Sequence, residues 1–474
     1  MEHFDQIILA DDYIVSSDCA QTGLNNNILL TGSSGSGKTM SYVEANLLHV
    51  SNRNLMLVIR KPKMLQKYTP ILKERGYQVD VLDFCHPNNS TVSFDPMHYI
   101  QDYLDLQHLC RSVIKANPDK QHQTSADPYW DEAATSLLLA LSQYCLLTIE
   151  EGKCTFADVV DLYKRMKVDY SDPSNISTSL DSDFDRLERL IPGNEACANW
   201  RVFRELPPRT AGCVLSGMAS TMAHLWDPTV LQMFRMSNDL EFASFTKEKR
   251  ILFIVVSPVN PAMDALVSMF YGTALKELFE LAQSEPNGSL PIPVHLMCDD
   301  CCSGAPIANL PQMMSIIREA NLSMSLVCQS NSQMDGIYGQ ANAISIRNCC
   351  DTMMYTGGTD LSTAHDISLR LDLPLCDVLA MPVGHFAIFR RGSKPFIQKR
   401  YQILEDPLYQ EVVRRFEESQ RQIMPLRVPK ERSSEITFAK APIANDPQIN
   451  LDSFRTELED RFDRMFELLN QGAS

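Results

Sequence analysis

The fold of this chain is decided by the stretch Asn27-Ile-Leu-Leu-Thr-Gly32-Ser-Ser-Gly-Ser-Gly-Lys38-Thr39. Its apolar start predicts a buried strand, and residues 38–49 predict a helix. Between the two lies a full match to the pattern G-x-x-x-x-G-K-[ST], whose glycines let successive backbone N–H groups surround phosphate oxygens. The positive end of the helix dipole faces the same charge. The pattern therefore predicts a nucleotide-binding loop, the P-loop, formed by Gly32, Ser33, Ser34, Gly35, Ser36, Gly37, Lys38 and Thr39.

An acidic pair is expected across the sheet from the P-loop. Residues 294–298 are another apolar run, and Asp299 and Asp300 follow it directly. Lys38 would reach the β- and γ-phosphates, and the Thr39 hydroxyl would join the shell of a Mg²⁺ ion. Asp299 would lie opposite, as an outer-sphere ligand of that ion. Asp300 would lie beside the attacking water. The predicted cofactors are ATP and Mg²⁺; two aspartates that only cap a turn are the alternative interpretation.

Apolar runs with strand character recur along the chain, at residues 55–59, 78–84, 251–256 and 323–328. Helical patterns separate them, as at residues 63–75 and 262–282. Alternation of this kind predicts an α/β fold with a parallel sheet that is covered on both faces.

Four regions are predicted from where this alternation stops and resumes. Residues 1–116 are the first part of a nucleotide-binding domain, 117–208 an all-α insertion, 209–420 the second part of the domain, and 421–474 a linker with a C-terminal helix. That helix carries one apolar stripe, which favours packing on its own chain or docking to a partner. The stripe consists of Leu451, Phe454, Leu458, Phe462, Met465 and Leu469.

The composition is that of a soluble globular protein, with 44% apolar and 22% charged residues. No apolar run approaches the roughly 20 residues that cross a bilayer, and the start Met1-Glu-His-Phe-Asp-Gln lacks the features of a signal peptide. A cytoplasmic location is therefore expected. The motif Cys298-x-x-Cys301-Cys302 has the spacing of a metal or redox site, but no second pair follows it, and packing at a strand end is favoured.

The net charge of −16 argues against a wholly basic nucleic-acid coat. Two basic clusters remain as surfaces that are either solvated or in contact with DNA phosphates. One comprises Arg60, Lys61, Lys63 and Lys67, and the other comprises Arg390, Arg391, Lys394, Lys399 and Arg400.

With these motifs placed, the chain resembles the coupling proteins of type IV secretion, the TraG/TraD-like ATPases of conjugative DNA transfer. The resemblance runs over residues 12–410, and its motifs occur in the family's order. They are Asn26-Asn-Ile28, Gly76-Tyr-Gln-Val79, Ser93-Phe-Asp-Pro-Met-His-Tyr-Ile100, Asp127-Pro-Tyr-Trp-Asp-Glu-Ala133, Arg318, Cys328-Gln-Ser330, Gln333, Tyr338-Gly339, Arg347-Asn-Cys349 and Gly357-Gly-Thr-Asp-Leu-Ser-Thr363.

The resemblance implies a RecA-like motor core, interrupted by an all-helical domain, that assembles as a hexameric ring. Such ATPases receive a relaxase-bound DNA strand, or a protein effector, and pass it to the channel components of the secretion system. Gln329 would sense the γ-phosphate, and Arg318 would be an arginine finger that reaches the site of a neighbouring subunit. Without the resemblance, Gln329 is a polar strand-end residue and Arg318 an ordinary surface arginine.

The chain departs from the family in three places. Asp300 stands where the family has Glu, which predicts slower hydrolysis because the carboxylate lies nearer the backbone. Lys61-Pro-Lys-Met-Leu65 stands where the family has D-P-K-G-E. The membrane anchor common in the family is missing, so a separate membrane protein would recruit the chain to the inner face of the cell membrane, or the chain belongs to a soluble branch.

Three functions are compatible with these observations. The first is a translocating ATPase for conjugative DNA or a protein substrate. The second is a nucleotide-binding scaffold that recruits substrates and hydrolyses ATP weakly. The third is a DNA translocase of the FtsK/HerA kind, against which the helical insertion and the Asp127-Pro-Tyr-Trp segment argue.

Overall fold

The structure is a computed structural model that describes residues 5–115, 128–172, 174–223, 225–257, 262–302, 306–307 and 309–423. Residues 1–417 form one compact unit and residues 418–474 a second. The fold that follows is that of the first unit. The predicted linker and C-terminal helix from residue 424 onwards, and the Asp127 end of the Asp-Pro-Tyr-Trp segment, lie outside the described residues.

The described chain contains thirteen strands. They are β1 (Gln6–Ala10), β2 (Tyr13–Ser16), β3 (Ile28–Thr31), β4 (Asn54–Ile59), β5 (Gln78–Asp83), β6 (Val168–Asp169), β7 (Ser177–Thr178), β8 (Arg250–Val255), β9 (Val294–Cys298), β10 (Leu322–Cys328), β11 (Thr352–Tyr355), β12 (His385–Arg390) and β13 (Phe396–Lys399).

Seventeen α-helices are described in the same residues. They are α1 (Cys19–Thr22), α2 (Ala45–Leu48), α3 (Lys63–Glu74), α4 (Tyr103–Lys115), α5 (Pro128–Thr148), α6 (Phe156–Arg165), α7 (Asp181–Leu190), α8 (Glu195–Arg204), α9 (Pro208–Ala223), α10 (Pro228–Phe234), α11 (Ala262–Ser284), α12 (Leu310–Ile316), α13 (Asn331–Tyr338), α14 (Gln340–Asn348), α15 (Leu361–Leu371), α16 (Leu375–Leu379) and α17 (Pro407–Ile423). Short 3₁₀ turns cover Pro87–Asn89, Pro96–Tyr99, Phe242–Thr246 and Ile403–Glu405.

A nine-stranded sheet forms the centre of the unit, in the order β13-β12-β11-β3-β10-β9-β4-β8-β5. The seven strands from β11 to β5 are parallel, and β12 and β13 extend the sheet in antiparallel fashion. Parallel strands are buried on both faces, which is why their sequences are continuous apolar runs. The predicted α/β fold with a RecA-like P-loop core is confirmed.

Two hydrophobic cores cover the two faces of the sheet. Along β4, Leu55 and Leu57 face one core, whereas Met56 and Val58 face the other, because successive side chains of a strand alternate between faces. The P-loop strand β3 lies between β10 and β11, so the carboxyl ends of these three strands meet at one edge of the sheet. The functional residues are expected at that edge.

The segment between β5 and β8 is largely helical and contains α4 to α10. Its central helix α5 is buried along much of its length, and Trp200 of α8 stacks on Phe184 of α7 with ring centroids 4.1 Å apart. The prediction of a purely helical insertion is wrong in one detail, because β6 and β7 pair as a short antiparallel ladder. Helices also continue to Phe234, beyond residue 208, and the predicted domain boundaries stay a prediction.

The predicted helix at residues 38–49 also differs in detail from the structure. It begins as a π-helical turn, Thr39–Glu44, and continues as α2. Turns of this kind insert an extra residue into a helix and are frequent at functional sites. In the part of the chain that the structure describes, no helix combines the length and the apolar character that crossing a bilayer requires.

Candidate nucleotide site

The P-loop leaves β3 at Gly32 and closes on itself before Lys38. Gly32 has φ 156°, and a Cβ at this position would lie 1.8 Å from the Thr356 hydroxyl oxygen. Gly37 has φ 91°, in the left-handed region that favours glycine. The two glycines are therefore required both by backbone conformation and by the close approach of other segments to the loop.

Lys38 lies inside the loop. Its side chain is buried, and Nζ donates hydrogen bonds to the carbonyl oxygens of Gly32 at 2.5 Å and Ser33 at 2.9 Å. Burial lowers the pKa of the Lys38 ammonium, and the nearby carboxylates of Asp300 and Asp299 oppose this effect. The arrangement holds a cation at the position where the nest of P-loop amides would bind phosphate.

Thr39 and Asp299 meet across the edge of the sheet. The Thr39 hydroxyl donates to a carboxylate oxygen of Asp299 at 2.7 Å, although the two residues are 260 positions apart. Burial raises the pKa of the Asp299 carboxyl; the Thr39 hydrogen bond opposes the rise, Asp300 adds to it, and Lys38 opposes it. A hydroxyl and a carboxylate are hard oxygen ligands of the kind that Mg²⁺ prefers.

The donor set at this position fits Mg²⁺ better than a metal held by protein ligands alone. Among the described residues, no group of three or more His, Cys, Asp or Glu side chains is arranged to hold a metal ion. Mg²⁺ takes one or two protein ligands and completes its shell with phosphates and water. Cys298, Cys301 and Cys302, which flank the acidic pair in the sequence, are buried free thiols.

Asp300 adopts a left-handed backbone conformation, with φ 57°. Short polar residues tolerate this conformation best. One of its carboxylate oxygens lies 3.8 Å from Nε of Arg60, which follows β4. Since β4 is the neighbour of β9, an arginine at the end of one strand faces a carboxylate at the end of the other. Sequence inspection placed Arg60 in a basic surface cluster, whereas the structure brings it to the candidate site.

Gln329 follows β10, the strand between β3 and β9, and its side chain is exposed at the same edge of the sheet. Its backbone N–H donates to the side-chain oxygen of Gln333 at 3.1 Å. Arg318 lies elsewhere, because it precedes β10 and is exposed at the amino end of that strand. The length of β10 separates it from the P-loop of its own chain by roughly 20 Å.

Three residues at the P-loop were missed by sequence inspection as parts of the site. The Thr356 hydroxyl bonds to that of Ser36 at 2.6 Å, and the Ser33 N–H donates to the Gly357 carbonyl at 3.0 Å. Arg400 donates to the Ser36 carbonyl at 2.9 Å. Two adjacent glycines after a short strand are a signal for close approach at residues 357–358, but no local pattern marks Arg400.

A family model, described as type IV secretory system conjugative DNA transfer, matches residues 9–371. The chain belongs to this family. The matched region contains the P-loop, the acidic pair, Gln329 and Thr356. Arg400 lies beyond it. No curated protein sequence matches the chain.

Solved structures share the fold of this conjugative-transfer family member at low sequence identity. The bacterial conjugative coupling protein TrwBdeltaN70, in an unbound form, has a TM-score of 0.62 and 18% identity, over 85% of this chain and 89% of that chain. TrwB in complex with the ATP analogue ADPNP has a TM-score of 0.59 and 18% identity, over 79% and 84%. VirB4 of Thermoanaerobacter pseudethanolicus has a TM-score of 0.51 and 12% identity, over 86% and 99%.

Four of the nine cations in the two basic clusters of this family member contact protein groups. Lys67 pairs with Glu44 at 3.0 Å, and Arg391 pairs with Asp351 at 2.5 Å. With the contacts of Arg60 and Arg400, these pairs leave five cations of the two clusters. Arg390 is partly buried, and the other four are exposed and are candidates for DNA phosphates. They are Lys61, Lys63, Lys394 and Lys399.

Proposed function

We propose that this member of the conjugative DNA transfer family is an ATPase motor that delivers relaxase-bound DNA, or a protein substrate, to a type IV secretion channel. The observation that carries the proposal is the contact between the Thr39 hydroxyl and the Asp299 carboxylate beside buried Lys38. Support comes from TrwB, of similar fold, whose structures are in complex with ADPNP and with ADP and Mg²⁺.

Each residue of the site has a distinct part in this proposal. The P-loop amides and Lys38 would bind the β- and γ-phosphates, and Thr39 and Asp299 would hold Mg²⁺. When bound, Mg²⁺ neutralises charge on the phosphates. Asp300 would accept a hydrogen bond from the attacking water and orient it. Gln329, at the end of the strand between β3 and β9, would contact the terminal phosphate.

A second subunit would complete the site. Arg318 lies at the amino end of β10, so it would serve as an arginine finger only in the site of a neighbour. Head-to-tail contacts of this kind generate rings when the rotation closes, and a hexamer is proposed. The further proposed partners are the channel components and a separate membrane protein that recruits the cytoplasmic chain to the inner face of the cell membrane.

ATP turnover tests the motor directly. Purified protein with Mg²⁺ is expected to hydrolyse ATP faster in the presence of single-stranded DNA than in its absence. Lys38→Ala is expected to remove both activities, since the loop then lacks its buried cation. Turnover of the wild-type protein equal to that of Lys38→Ala, with and without DNA, would reject the motor.

The second candidate, a scaffold that hydrolyses ATP weakly, is favoured by Asp300 alone. An Asp carboxylate is one methylene shorter than Glu, and misplacement by about 1 Å costs about 10²-fold in rate. Asp300→Glu separates the candidates. A rise in turnover at unchanged affinity for ADPNP supports the scaffold with a misplaced carboxylate, whereas a fall supports a motor already adapted to Asp.

A further inference from the structure

Arg400 is held against the P-loop from a distant part of the chain. Its Nη1 donates to the Ser36 carbonyl at 2.9 Å, across 364 residues of sequence. A Cβ on Gly37 would lie 2.1 Å from this nitrogen, so the guanidinium lies directly on the loop backbone. The Arg400 N–H donates to the Gly384 carbonyl at 2.9 Å, and the Arg400 carbonyl accepts from the Gln402 side-chain amide at 2.8 Å. The backbone of Arg400 is thereby fixed.

The charge of Arg400 is not neutralised by a neighbouring carboxylate. Among the residues that the structure describes, no acidic side chain pairs with it, whereas Arg391 of the same hairpin binds Asp351. The Arg400 guanidinium contacts the Ser36 carbonyl and lies close to the backbone of Gly37 and Gly384. A cation placed beside a nest of N–H groups increases the attraction of that nest for an anion.

The order of the sheet indicates which part of a nucleotide Arg400 would meet. Asp299 and Gln329 end β9 and β10, on one side of β3, and β11 to β13 lie on the other side. With the terminal phosphate directed towards Asp299 and Gln329, the part of the nucleotide shared by ATP and ADP lies on the side of Arg400. This step rests on the proposed function.

We propose that Arg400 is a nucleotide-binding residue that acts within its own subunit on the part common to ATP and ADP. It contributes equally to the binding of both nucleotides and does not act on the transferring phosphate. Its role therefore differs from that proposed for Arg318. Arg318 lies at the amino end of β10, whereas Arg400 follows β13 and contacts the P-loop of its own chain.

The test is the affinity of the full chain for ADP and for ADPNP, measured by calorimetry with Mg²⁺. Arg400→Gln keeps a donor for the Ser36 carbonyl but removes the charge, and it is expected to weaken both affinities about tenfold. Arg400→Lys is expected to recover part of the loss. Turnover at saturating ATP is expected to stay within about twofold, because uniform binding affects KM rather than kcat.

Arg391→Gln is the matched control, since Arg391 belongs to the same hairpin and pairs with Asp351. It is expected to bind both nucleotides as the wild-type protein does. Equal affinities of Arg400→Gln and the wild-type protein would overturn the inference and leave the proposed function standing. A loss confined to ADPNP would also overturn it, because Arg400 would then act at the terminal phosphate. A wild-type protein that binds neither nucleotide would overturn both.

Discussion

Gly32 and Gly35 both have positive φ angles, but their surroundings differ. A Cβ on Gly32 would lie 1.8 Å from the Thr356 hydroxyl oxygen, whereas nothing lies within 4 Å of a Cβ on Gly35. Gly35→Ala is therefore expected to cost only backbone strain, about 1–2 kcal/mol. Gly32→Ala is expected to cost about 1–3 kcal/mol more, because the loop and β11 are forced apart. Urea unfolding of the two variants measures the difference.

A second substitution at Thr356 isolates the cause. In a Thr356→Ala background the hydroxyl is absent, so Gly32→Ala is expected to cost less than in the wild-type protein. The same cost in both backgrounds would show that the collision with Thr356 is not what requires glycine.

Much of the candidate site follows from residue types at strand ends. The P-loop is a local pattern, and Asp299, Asp300 and Gln329 each follow an apolar run. Parallel strands bring such residues to one edge, so their proximity follows from the fold class. Arg400 and Arg60 were assigned to surface clusters, because nothing in the neighbouring residues indicates that an arginine will meet a loop hundreds of positions away.

At the scale of elements, the six predicted strands agree with the structure within one residue at each end. Continuous apolar runs between turns are a strong signal because these strands are buried on both faces. The strands β11 to β13 were not predicted. β12 and β13 form the end of the sheet beyond β11, and β13 is only partly buried, so its apolar pattern is weak. Their place beside β3 depends on long-range pairing, which no local pattern contains.

Asp95 joins two elements at the start of the helical segment. One carboxylate oxygen accepts from the N–H of Met97 at 2.7 Å, and the other accepts from the N–H of Phe156, the first residue of α6, at 2.8 Å. Burial raises the pKa of Asp95 to about 7, despite these bonds and the nearby charge of His98. The ordinary value is 3.8. Asp95 therefore retains its proton in the folded protein under conditions where the unfolded chain loses it.

The pKa of Asp95 predicts how stability depends on pH. Because the folded pKa exceeds the unfolded one, the contribution is fully present below pH 4 and is lost as the pH rises through 7. Between pH 5 and 8 the free energy of unfolding is expected to fall by up to about 2–3 kcal/mol from this residue. His98 adds in the same direction, since its hydrogen bond to Asp239 raises the pKa of His98.

Asp95→Asn removes the contribution of Asp95 to the pH dependence of the free energy of unfolding and leaves the contribution of His98. Denaturant unfolding of both proteins at several pH values is expected to show a smaller decline for the variant. Parallel curves for the two proteins across this range would contradict the assignment of the proton to Asp95.

At the scale of the whole molecule, the P-loop and Arg318 lie at opposite ends of the strands. A mixture of two inactive proteins distinguishes action within a subunit from action between subunits. In Arg318→Ala the P-loop is intact, and in Lys38→Ala the proposed arginine finger is intact. A site is complete when its P-loop comes from an Arg318→Ala subunit and its arginine from a Lys38→Ala subunit. Only one of the two orientations of a mixed contact meets this condition, so random mixing is expected to restore activity at about a quarter of the sites.

Each variant alone is the control for this mixture, and both are expected to be inactive. A mixture no more active than the mean of its components would show that Arg318 does not act in a neighbouring subunit.

Two residues that contact the P-loop are synthesised long after the loop itself. Ser36 contacts Thr356 and Arg400, which lie 320 and 364 residues further along the chain. At about 5–20 residues per second, the interval to Arg400 lasts roughly 20 to 70 seconds. During that time the P-loop of the nascent chain lacks its contact with Arg400. If Arg400 has the role proposed for it, the incomplete polypeptide is expected to bind ATP more weakly than the finished chain, so nucleotide is expected to stabilise the finished chain more.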